Sequence, residues 1–369
     1  MSRPTWARVD LDAVRANVRT LCAVADGAEV MAVVKADGYG HGAIPVARAA
    51  LAAGATRLGV ALVDEGVALR EAGIEAPILL LSEPASHAMG VVVARSLDPT
   101  VCTPAGLDAL AAVVGSTARV AVHVKIDTGM HRMGCAPDAV VALATAVAQT
   151  PGITLAGVWT HLAVADEPDS DGTDRQLAVF DRAIAALHAA GLRWSCTHAA
   201  NSAGAIAHPA ARRDLVRCGI ALYGIAPAPA LIGAVELHAA LSLHSQVSAI
   251  RDIAAGEHVS YGWRWTAPRA TRIATVPIGY ADGLPRRLGA AGGEVLIAGR
   301  RCAIAGTVTM DQILVDVGDL LVEIGTPVVL LGTQGSETID ADEWAERVGT
   351  IAYEIVCGIG PRVPRRYVP

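Results

Sequence analysis

Short hydrophobic runs alternate with longer segments of mixed polarity along roughly the first 225 residues. Eight of these runs predict buried β-strands, namely EVMAVVK, RLGVALV, PILLL, LDPTVC, ARVAVHVKI, ITLAGVWTH, WSCTHAA and LVRCGIALYG. Alanine-rich segments with helical spacing lie between most of them, for example Asp64 to Ala72, Thr103 to Val114 and Asp174 to Ala190. Eight strand and helix units are what an α/β TIM-type (β/α)8 barrel requires, whereas a doubly wound sheet normally uses fewer. The pattern therefore predicts a barrel domain over residues 1–236.

The pattern changes after Tyr223. The stretch GIAPAPALIGA is rich in proline and glycine and predicts a linker. Beyond it come strand-like runs without long helices between them: HSQVSAIRDI, TRIATVPIG, EVLIAG, RCAIAGTVTM, ILVDV and PVVLLG. Such runs with frequent turn signals predict a second, mostly-β domain over residues 237–369.

Composition narrows the class of protein. Of the 369 residues, 53% are hydrophobic and 18% are charged, which indicates a packed globular chain and excludes a disordered one. The net charge is −6 and no run of lysine or arginine occurs, so no nucleic acid or membrane partner is expected. The composition therefore favours a small-molecule partner.

Cysteine usage and the N-terminus bear on location. The seven cysteines are an odd number without a CxxC pair or a metal-ligand spacing, so neither a disulfide framework nor a zinc site is expected. The first residues, MSRPTWARVDLDAVRANV, lack an apolar signal core and instead show helical spacing. We expect a cytoplasmic protein with reduced thiols.

Polar residues occur where the predicted barrel strands end. They are Lys35 after the first strand, Lys125, Asp127 and Arg132 at and after the fifth, His161 after the sixth, Asn201 and Ser202 after the seventh, and Arg217 and Gly219 in and after the eighth. Active sites of such barrels lie at the carboxyl ends of the strands, so these side chains are expected to converge. The Asn-Ser turn and Gly219 could present backbone N–H groups to a phosphate, which these barrels often bind after strands seven and eight.

Each of these residues also has an ordinary structural interpretation. A strand-end lysine such as Lys35 is usually a surface residue, and the sequence ADGYGHG can be only a tight turn. His161 can be a core histidine, and Asn-Ser after a strand is a common helix cap. Their convergence on one rim from five strands favours a site. A lysine near a phosphate site in turn points to pyridoxal 5'-phosphate, which forms a Schiff base with lysine.

Eight motifs carry a more specific resemblance. In chain order they are AVVKADGYGHG, KIDTGMHRMG, HAANSAG, RCGIALYG, VSYG, VPIGYADG, TMDQILVDV and YEIVCGIGPRVPR. Together they resemble the alanine racemase family over nearly the whole chain. The resemblance implies an isomerase that interconverts L-alanine and D-alanine and supplies D-alanine for cell-wall peptidoglycan.

The resemblance also implies roles for individual residues. It makes Lys35 the lysine that binds pyridoxal phosphate covalently. It makes the following residues the ligands of the cofactor's phosphate group: Tyr39, Asn201, Ser202, Gly219, Ile220 and Tyr353. Arg217 is placed at the pyridine nitrogen, where a guanidinium that keeps its proton leaves that nitrogen unprotonated. This limits electron withdrawal into the ring and suits a racemase more than a transaminase.

Racemisation needs two acid-base groups on opposite faces of the substrate. By resemblance Lys35 serves D-alanine and Tyr261 of VSYG serves L-alanine. A phenol ordinarily ionises near pH ~10 and needs a partner near neutrality, which the resemblance identifies as His161, linked onward to Arg217. It also implies that each site borrows its tyrosine from the other subunit, and hence a homodimer.

The substrate side follows from the same resemblance. Arg132 would hold the substrate carboxylate, and Lys125 matches a position that carries a carbamate in many members. The substrate-side loop residues are Met310 and Asp311, and Tyr280 and Tyr353 narrow the access path. This chain departs from the family pattern near that path, because Thr307 and Gly358 stand where arginine is common.

Three alternatives stay open at the level of the sequence. A pyridoxal phosphate carrier of the same barrel fold usually lacks the second β domain and its tyrosine, both of which are present here. A related amino-acid decarboxylase would carry a different C-terminal cysteine motif. A racemase of broader specificity, for example toward serine, shares the motifs, and its periplasmic members would carry a signal peptide.

Overall fold

The computed structural model describes residues 3–115 and 119–369. These residues form two compact units. One contains Ala13–Gly38 and Ala43–His238, and is called the barrel unit below. The other contains the described residues up to Asp12, the short segment Tyr39–Gly42, and Ala239–Pro369, and is called the β unit.

Eight parallel strands lie in the described part of the barrel unit. In chain order they are Glu29–Val33, Arg57–Val60, Ile78–Leu80, Thr100–Val101, Val120–Lys125, Ile153–Trp159, Cys196–His198 and Leu215–Cys218. Neighbouring strands pair in parallel, and the eighth strand pairs with the first. The third and fourth strands are joined by a single parallel bridge, between Leu79 and Asp98. The Arg217 amide donates to the Ala200 carbonyl at 3.0 Å and closes the ring between the seventh and eighth strands. The predicted α/β barrel is confirmed.

Helices follow most of the strands. They are Ala43–Ala52, Val63–Glu71, Met89–Ala94, Pro104–Ala111, Val140–Gln149, Gly172–Ala189 and Ser202–Ala207, and the helix Leu11–Ala25 precedes the first barrel strand. The helix Val140–Gln149 shows why such segments pack: its buried residues Val140, Leu143, Ala144 and Val147 recur at the spacing of one helical face. No helix within the described part of the chain is long and apolar enough to cross a membrane.

The barrel interior has an apolar layer and a polar rim. Met31, Leu79, Cys196 and Leu215, from the first, third, seventh and eighth strands, form one buried cluster. All strands run in the same direction, so their carboxyl ends meet at one end of the barrel. The polar residues predicted from the sequence follow the strands at that end.

The β unit contains twelve strands and two helices among its described residues. The strands are Trp6–Asp10, Leu241–Gln246, Ala249–Ile253, His258–Val259, Trp265–Thr266, Thr271–Val276, Glu294–Ile297, Arg300–Ala303, Ile313–Asp316, Pro327–Gln334, Glu337–Ile339 and Arg365–Val368, and the helices are Ala341–Val348 and Ala352–Gly358. Most pairs are antiparallel, in one seven-stranded sheet, one three-stranded sheet and one two-stranded hairpin. The predicted mostly-β second domain is confirmed.

The first strand of the chain lies in the β unit. Trp6–Asp10 pairs antiparallel with Leu241–Gln246 and parallel with Arg365–Val368. The sequence interpretation counted these residues in the barrel domain, because five residues before a helix give no signal of a distant partner. The boundary after residue 236 stays a prediction, but the strand pairing joins both ends of the chain in one sheet.

Candidate active site

Lys35 begins a strained turn directly after the first barrel strand. Ala36, Asp37 and Gly38 all have left-handed backbone angles, with φ of 52°, 51° and 62°. A non-glycine residue in this region costs roughly 1–3 kcal/mol, and such turns persist where the surroundings hold them. Here the Ala36 amide donates to Glu65 Oε1 at 2.6 Å, and Asp37 Oδ1 accepts from the Ala43 amide at 2.8 Å. The turn therefore fixes the backbone from which the Lys35 side chain extends.

Arg217 is the centre of a buried hydrogen-bond network. Its Nη1 donates to His198 Nδ1 at 3.1 Å, and its Nη2 donates to His161 Nδ1 at 3.2 Å. Nη2 also donates to the carbonyls of Thr160 and Ala199, each at 2.9 Å. Within the described residues no carboxylate forms an ion pair with this guanidinium. A buried cation is thus held by neutral acceptors alone, which leaves its charge available to an electron-rich ligand.

The charge states of this network follow from its burial. Burial lowers the pKa of Arg217 to about 9, and the guanidinium still carries its proton at neutral pH. Burial, then the charge of Arg217, lowers the pKa of His161 and that of His198 well below their ordinary value. Both rings are therefore neutral and can accept at Nδ1 from Arg217. His198 Nε2 then donates to His123 Nδ1, 3.0 Å away, whose pKa burial lowers to about 3.

The pKa of His161 also shows which predicted residues lie near it. After burial and Arg217, the charges that lower it are those of Lys125, Arg132 and Lys35. Residues from the first, fifth, sixth and eighth strands therefore act on one imidazole. The structure brings together in the barrel unit the cations that the sequence placed at one rim.

Lys125 lies against the ring of Trp159. Its Nζ is 4.4 Å from the ring centroid, and the Arg217 guanidinium carbon is 4.6 Å from it. Burial, then the charge of Arg217, lowers the pKa of Lys125 to about 8. The uncharged fraction of this amine near neutral pH is therefore larger than for an ordinary lysine, and the uncharged amine is the reactive form.

Arg132 lies on the loop that follows the fifth strand, and its side chain is exposed. The loop is organised by Asp127, whose Oδ1 accepts from the amides of Gly129 and His131, each at 3.0 Å. Gly134 has φ of 138°, and a Cβ there would lie 2.5 Å from the Asp127 amide nitrogen. The loop can therefore close only with glycine at that position.

Hydroxyl and amide groups meet after the seventh and eighth strands. The buried Ser202 Oγ accepts from the Gly219 amide at 2.9 Å and from the Ala221 amide at 3.4 Å. No acceptor for the Ser202 hydroxyl proton is present among the described residues, so this buried group can still donate. Asn201 caps its own helix, with Oδ1 accepting from the Gly204 amide at 2.9 Å. Ile220 is buried and opens the turn after Gly219. The Ser202 hydroxyl can therefore donate to an oxyanion such as phosphate, while the Gly219 amide holds the hydroxyl in place.

Two predicted tyrosines lie together in the β unit. The rings of Tyr39 and Tyr353 are 6.3 Å apart between centroids. Tyr39 is buried, and burial raises the pKa of its phenol. Its neighbour Gly40 is constrained by space, because a Cβ there would lie 2.4 Å from the Val356 carbonyl oxygen. The glycine-rich stretch therefore packs directly on the helix that carries Tyr353.

Tyr261 occupies an exposed and strained loop. Its side chain is 74% exposed, and that of Trp263 is 70% exposed. Ser260 has φ of 65° and ψ of −176°, a region occupied almost only by glycine, and Trp263 has φ of 51°. The structure brings Tyr261 to the surface of its own unit.

Met310 and Asp311 follow a turn linked to Tyr280. The amides of Tyr280 and Ala281 donate to the carbonyls of Thr309 and Met310, at 2.9 and 3.0 Å. The side chains of Met310 and Asp311 are exposed, and Asp311 Oδ1 accepts from Arg362 at 2.6 Å.

Arg362 in turn contacts Asp282. This carboxylate is fully buried and also binds Arg3 through two hydrogen bonds of 2.6 and 2.8 Å. The arginine therefore connects the loop to a buried charge. The predicted substrate loop and the predicted access tyrosine are thus joined within one unit.

Sequence reasoning missed several residues that organise the site. They are His123, Trp159 and His198 in the barrel unit, and Asp282 and Arg362 in the β unit. One compositional signal was also missed: the 30 basic residues include only two lysines, Lys35 and Lys125. Lys35 follows a barrel strand and Lys125 ends one. Since all other basic positions are arginine, the choice of lysine at these two positions indicates that each needs an amine.

Comparison with known proteins agrees with this arrangement. The model of the alanine racemase N-terminal domain matches residues 9–227, and that of the alanine racemase C-terminal domain matches residues 240–367. An alanine racemase from Symbiobacterium thermophilum is 49% identical over 367 residues, which is 99% of this chain and 97% of that protein. One from Thermobifida fusca is 43% identical over 372 residues, covering 100% of this chain and 99% of that protein.

Solved structures are similar over the same length. Alanine racemase from Bacillus anthracis with bound L-Ala-P has a TM-score of 0.94 and 38% identity, covering 100% of this chain and 95% of that one. Alanine racemase from the D-cycloserine producer Streptomyces lavendulae has a TM-score of 0.92 and 39% identity, covering 100% of this chain and 97% of that one.

Proposed function

The chain belongs to the alanine racemase family and is an isomerase, and we propose that it interconverts L-alanine and D-alanine with pyridoxal 5'-phosphate as its cofactor. The observation that carries the proposal is the buried Arg217, which is hydrogen-bonded to the neutral His161 and His198 and lies with Lys125 against the ring of Trp159. The charges of Lys35, Lys125 and Arg132 also act on His161. A barrel that gathers four cations around one imidazole, without a carboxylate on Arg217, suits an anionic ligand with an electron-rich ring. The reaction would supply D-alanine for cell-wall peptidoglycan.

The residues present fit this cofactor. Lys35 would bind it covalently, and Ser202 can donate its unused hydroxyl proton to a phosphate oxygen beside the Gly219 amide. The further phosphate ligands we propose are Tyr39, Asn201, Ile220 and Tyr353. Arg217 would donate to the pyridine nitrogen and keep it unprotonated. When bound, pyridoxal phosphate supplies the electron sink that makes the α-proton of alanine acidic.

Two groups would move the α-proton. Lys35 would remove it from D-alanine and return it to the same face in the reverse direction, while Tyr261 would do the same for L-alanine. His161 would donate its Nε2–H to the Tyr261 phenol oxygen, since its Nδ1 accepts from Arg217 and the neutral ring then carries its proton on Nε2. The positive charge of Arg217 would be felt at the phenol through this neutral ring.

We propose further that Tyr261 acts in the site of the partner subunit of a homodimer. The proposal is supported by the family resemblance and by the 74% exposure of this side chain within its own chain. An acid-base group cannot be shielded from water at that exposure, and a partner would have to cover it. Trp263, 70% exposed on the same turn, would be covered with it.

We propose the following residues for substrate binding and access. Arg132 would hold the alanine carboxylate, and Met310, Asp311, Tyr280 and Tyr353 would limit the side chain that enters. Lys125 would carry a carbamate, because the lowered pKa of its amine leaves a neutral form able to react with carbon dioxide. The resulting anion would orient Arg132 where an ammonium would repel it.

Chiral analysis of the products tests this proposal. Purified protein is supplied with pyridoxal phosphate and then incubated separately with L-alanine, L-serine and L-lysine. We expect L-alanine to be racemised with the highest kcat/KM, since the access tyrosines favour a small side chain. Faster turnover of L-lysine would contradict the substrate assignment, and decarboxylated product would contradict the reaction itself.

A further inference from the structure

The turn that carries Tyr261 is hydrogen-bonded to the segment that contains Thr307. Ser260 Oγ donates to the Thr307 carbonyl at 2.7 Å, and Thr307 Oγ1 donates to the Tyr261 carbonyl at 3.0 Å. The two hydrogen bonds are reciprocal, since each segment gives one hydroxyl and one carbonyl.

Close packing brings the two segments into this register. Gly306 has φ of 84°, and a Cβ there would lie 2.8 Å from the Val259 carbonyl oxygen and 3.1 Å from Ser260 Cβ. The backbone before Thr307 therefore passes directly against the backbone before Tyr261. A side chain at position 306 would push the segments apart and lengthen both hydroxyl contacts.

The turn needs such a tether because its own backbone is strained. Ser260, Gly262 and Trp263 all have positive φ, of 65°, 74° and 51°. Two of these are not glycine, so the relaxed turn would adopt other angles. Only three rotatable bonds, two of them in the side chain, lie between the anchored carbonyl of Tyr261 and the phenol oxygen of the same residue. A shift of the backbone is therefore passed on to the phenol.

We propose that Thr307 is a positioning residue for Tyr261: its hydroxyl fixes the main chain of the strained turn and so places the phenol for proton transfer on the L side. The inference rests on the proposed function, in which Tyr261 serves L-alanine and Lys35 serves D-alanine. It adds a residue that touches neither substrate nor cofactor.

Hydrogen–deuterium exchange of the turn tests the structural half of this inference. Thr307→Val removes the hydroxyl at nearly constant volume, and Thr307→Ser keeps the hydroxyl. In the loaded wild type, amides of the peptide spanning residues 258–266 should exchange slowly. Thr307→Val should raise their exchange rate at least about threefold, whereas Thr307→Ser should stay near the wild type. Equal rates in all three proteins would overturn the inference.

Label incorporation from D-alanine in D2O tests the catalytic half. Once Lys35 has removed the α-proton, its ammonium carries three hydrogens, of which two come from solvent. If Tyr261 is misplaced, it protonates the substrate α-carbon more slowly. Lys35 then returns a deuteron to the face from which it took the proton more often, which gives labelled D-alanine. The initial ratio of labelled D-alanine to newly formed L-alanine should rise at least about threefold in Thr307→Val. A general loss of folded enzyme would lower both products together and leave the ratio unchanged.

Thr338→Val is the matched control. It makes the same change in the same unit, at a hydroxyl paired with Thr333 Oγ1 at 2.9 Å. This control should show the wild-type ratio, and so should Thr307→Ser. If Thr307→Val does not fold, Ser260→Ala removes the reciprocal contact and should raise the ratio in the same direction.

The outcomes separate the two proposals. Wild-type protein that does not racemise alanine would refute the proposed function. Wild-type racemisation with an unchanged ratio in both Thr307→Val and Ser260→Ala would refute the role of Thr307 alone.

Discussion

The surroundings of Arg217 and those of Tyr261 differ in almost every physical respect. Arg217 is 3% exposed and makes four hydrogen bonds to neutral acceptors, two of them ring nitrogens. Tyr261 is 74% exposed, and its main chain is held by hydroxyl contacts on a strained turn. The Arg217 network is formed by described residues of one chain, whereas the Tyr261 phenol is exposed on its own unit and, in our proposal, is covered by a partner subunit.

Charge is also handled differently in the two units. In the barrel, cations gather without carboxylates on Arg217, so positive potential is left for a ligand. In the β unit, Asp282 is buried between Arg3 and Arg362, and Arg362 also holds Asp311. Ion pairs between side chains hold protein segments in place, whereas a buried cation without a carboxylate partner can bind and polarise a ligand. The barrel therefore leaves the charge of Arg217 to a ligand, whereas the β unit uses paired charges to hold its loops.

Lys35→Ala should have the largest effect, because in the proposed mechanism Lys35 is both the covalent attachment point of the cofactor and one of the two acid-base groups. We expect racemisation to fall by more than ~10⁴-fold. Borohydride treatment of wild-type protein loaded with cofactor should fix the label on Lys35. Since the chain has only two lysines, a peptide map has one alternative, and a label found on Lys125 would refute the assignment.

Tyr261→Phe should lower racemisation by about 10²–10⁴-fold, the usual contribution of one general acid-base group. The visible absorption of bound cofactor should be unchanged, since the phenol is not proposed to hold it. Loss of that absorption together with activity would show that Tyr261 acts by binding the cofactor and would remove the contrast with Lys35.

Arg217→Glu should lower racemisation by roughly 10²–10³-fold, as expected for loss of a preorganised charge. It should also raise the ratio of transamination to racemisation, because a carboxylate allows the pyridine nitrogen to be protonated. Both products are measured in one assay, so protein loss cancels in the ratio. An unchanged ratio would show that Arg217 does not tune the cofactor.

His123→Gln should produce the smallest effect, seen in acid stability. Burial lowers the pKa of His123 to about 3, whereas an unfolded histidine ionises near ~6.5. Between these values the unfolded chain binds one more proton, so stability is lost as pH falls through that window.

The variant lacks the pH-dependent contribution of His123 to the free energy of unfolding. Its free energy of unfolding, measured by urea at fixed protein and cofactor concentrations, should fall less steeply with acid, by about 1.4 kcal/mol per pH unit. Glutamine can still accept from His198, so the network remains paired. Parallel curves for variant and wild type would mean that His123 is protonated in the folded state.

The sequence was sufficient for the barrel because alternating strands and helices leave a strong pattern. It also placed Lys35, Lys125, His161 and Arg217 correctly at strand ends. It could not show that Trp6–Asp10 pairs with strands more than 200 residues away, since pairing partners leave no local signal. The hydroxyl contacts of Thr307 were likewise invisible, because they depend on a close approach of two distant turns.

Complementation between subunits tests the central claim most directly, namely that Lys35 of one chain and Tyr261 of its partner form one site. Lys35→Ala and Tyr261→Ala, each nearly inactive, are allowed to exchange subunits, with exchange confirmed by mass spectrometry. Random mixing makes about half the dimers mixed, each with one intact site of two, so roughly a quarter of wild-type activity should return. Complete exchange without recovered activity would show that lysine and tyrosine act within the same chain.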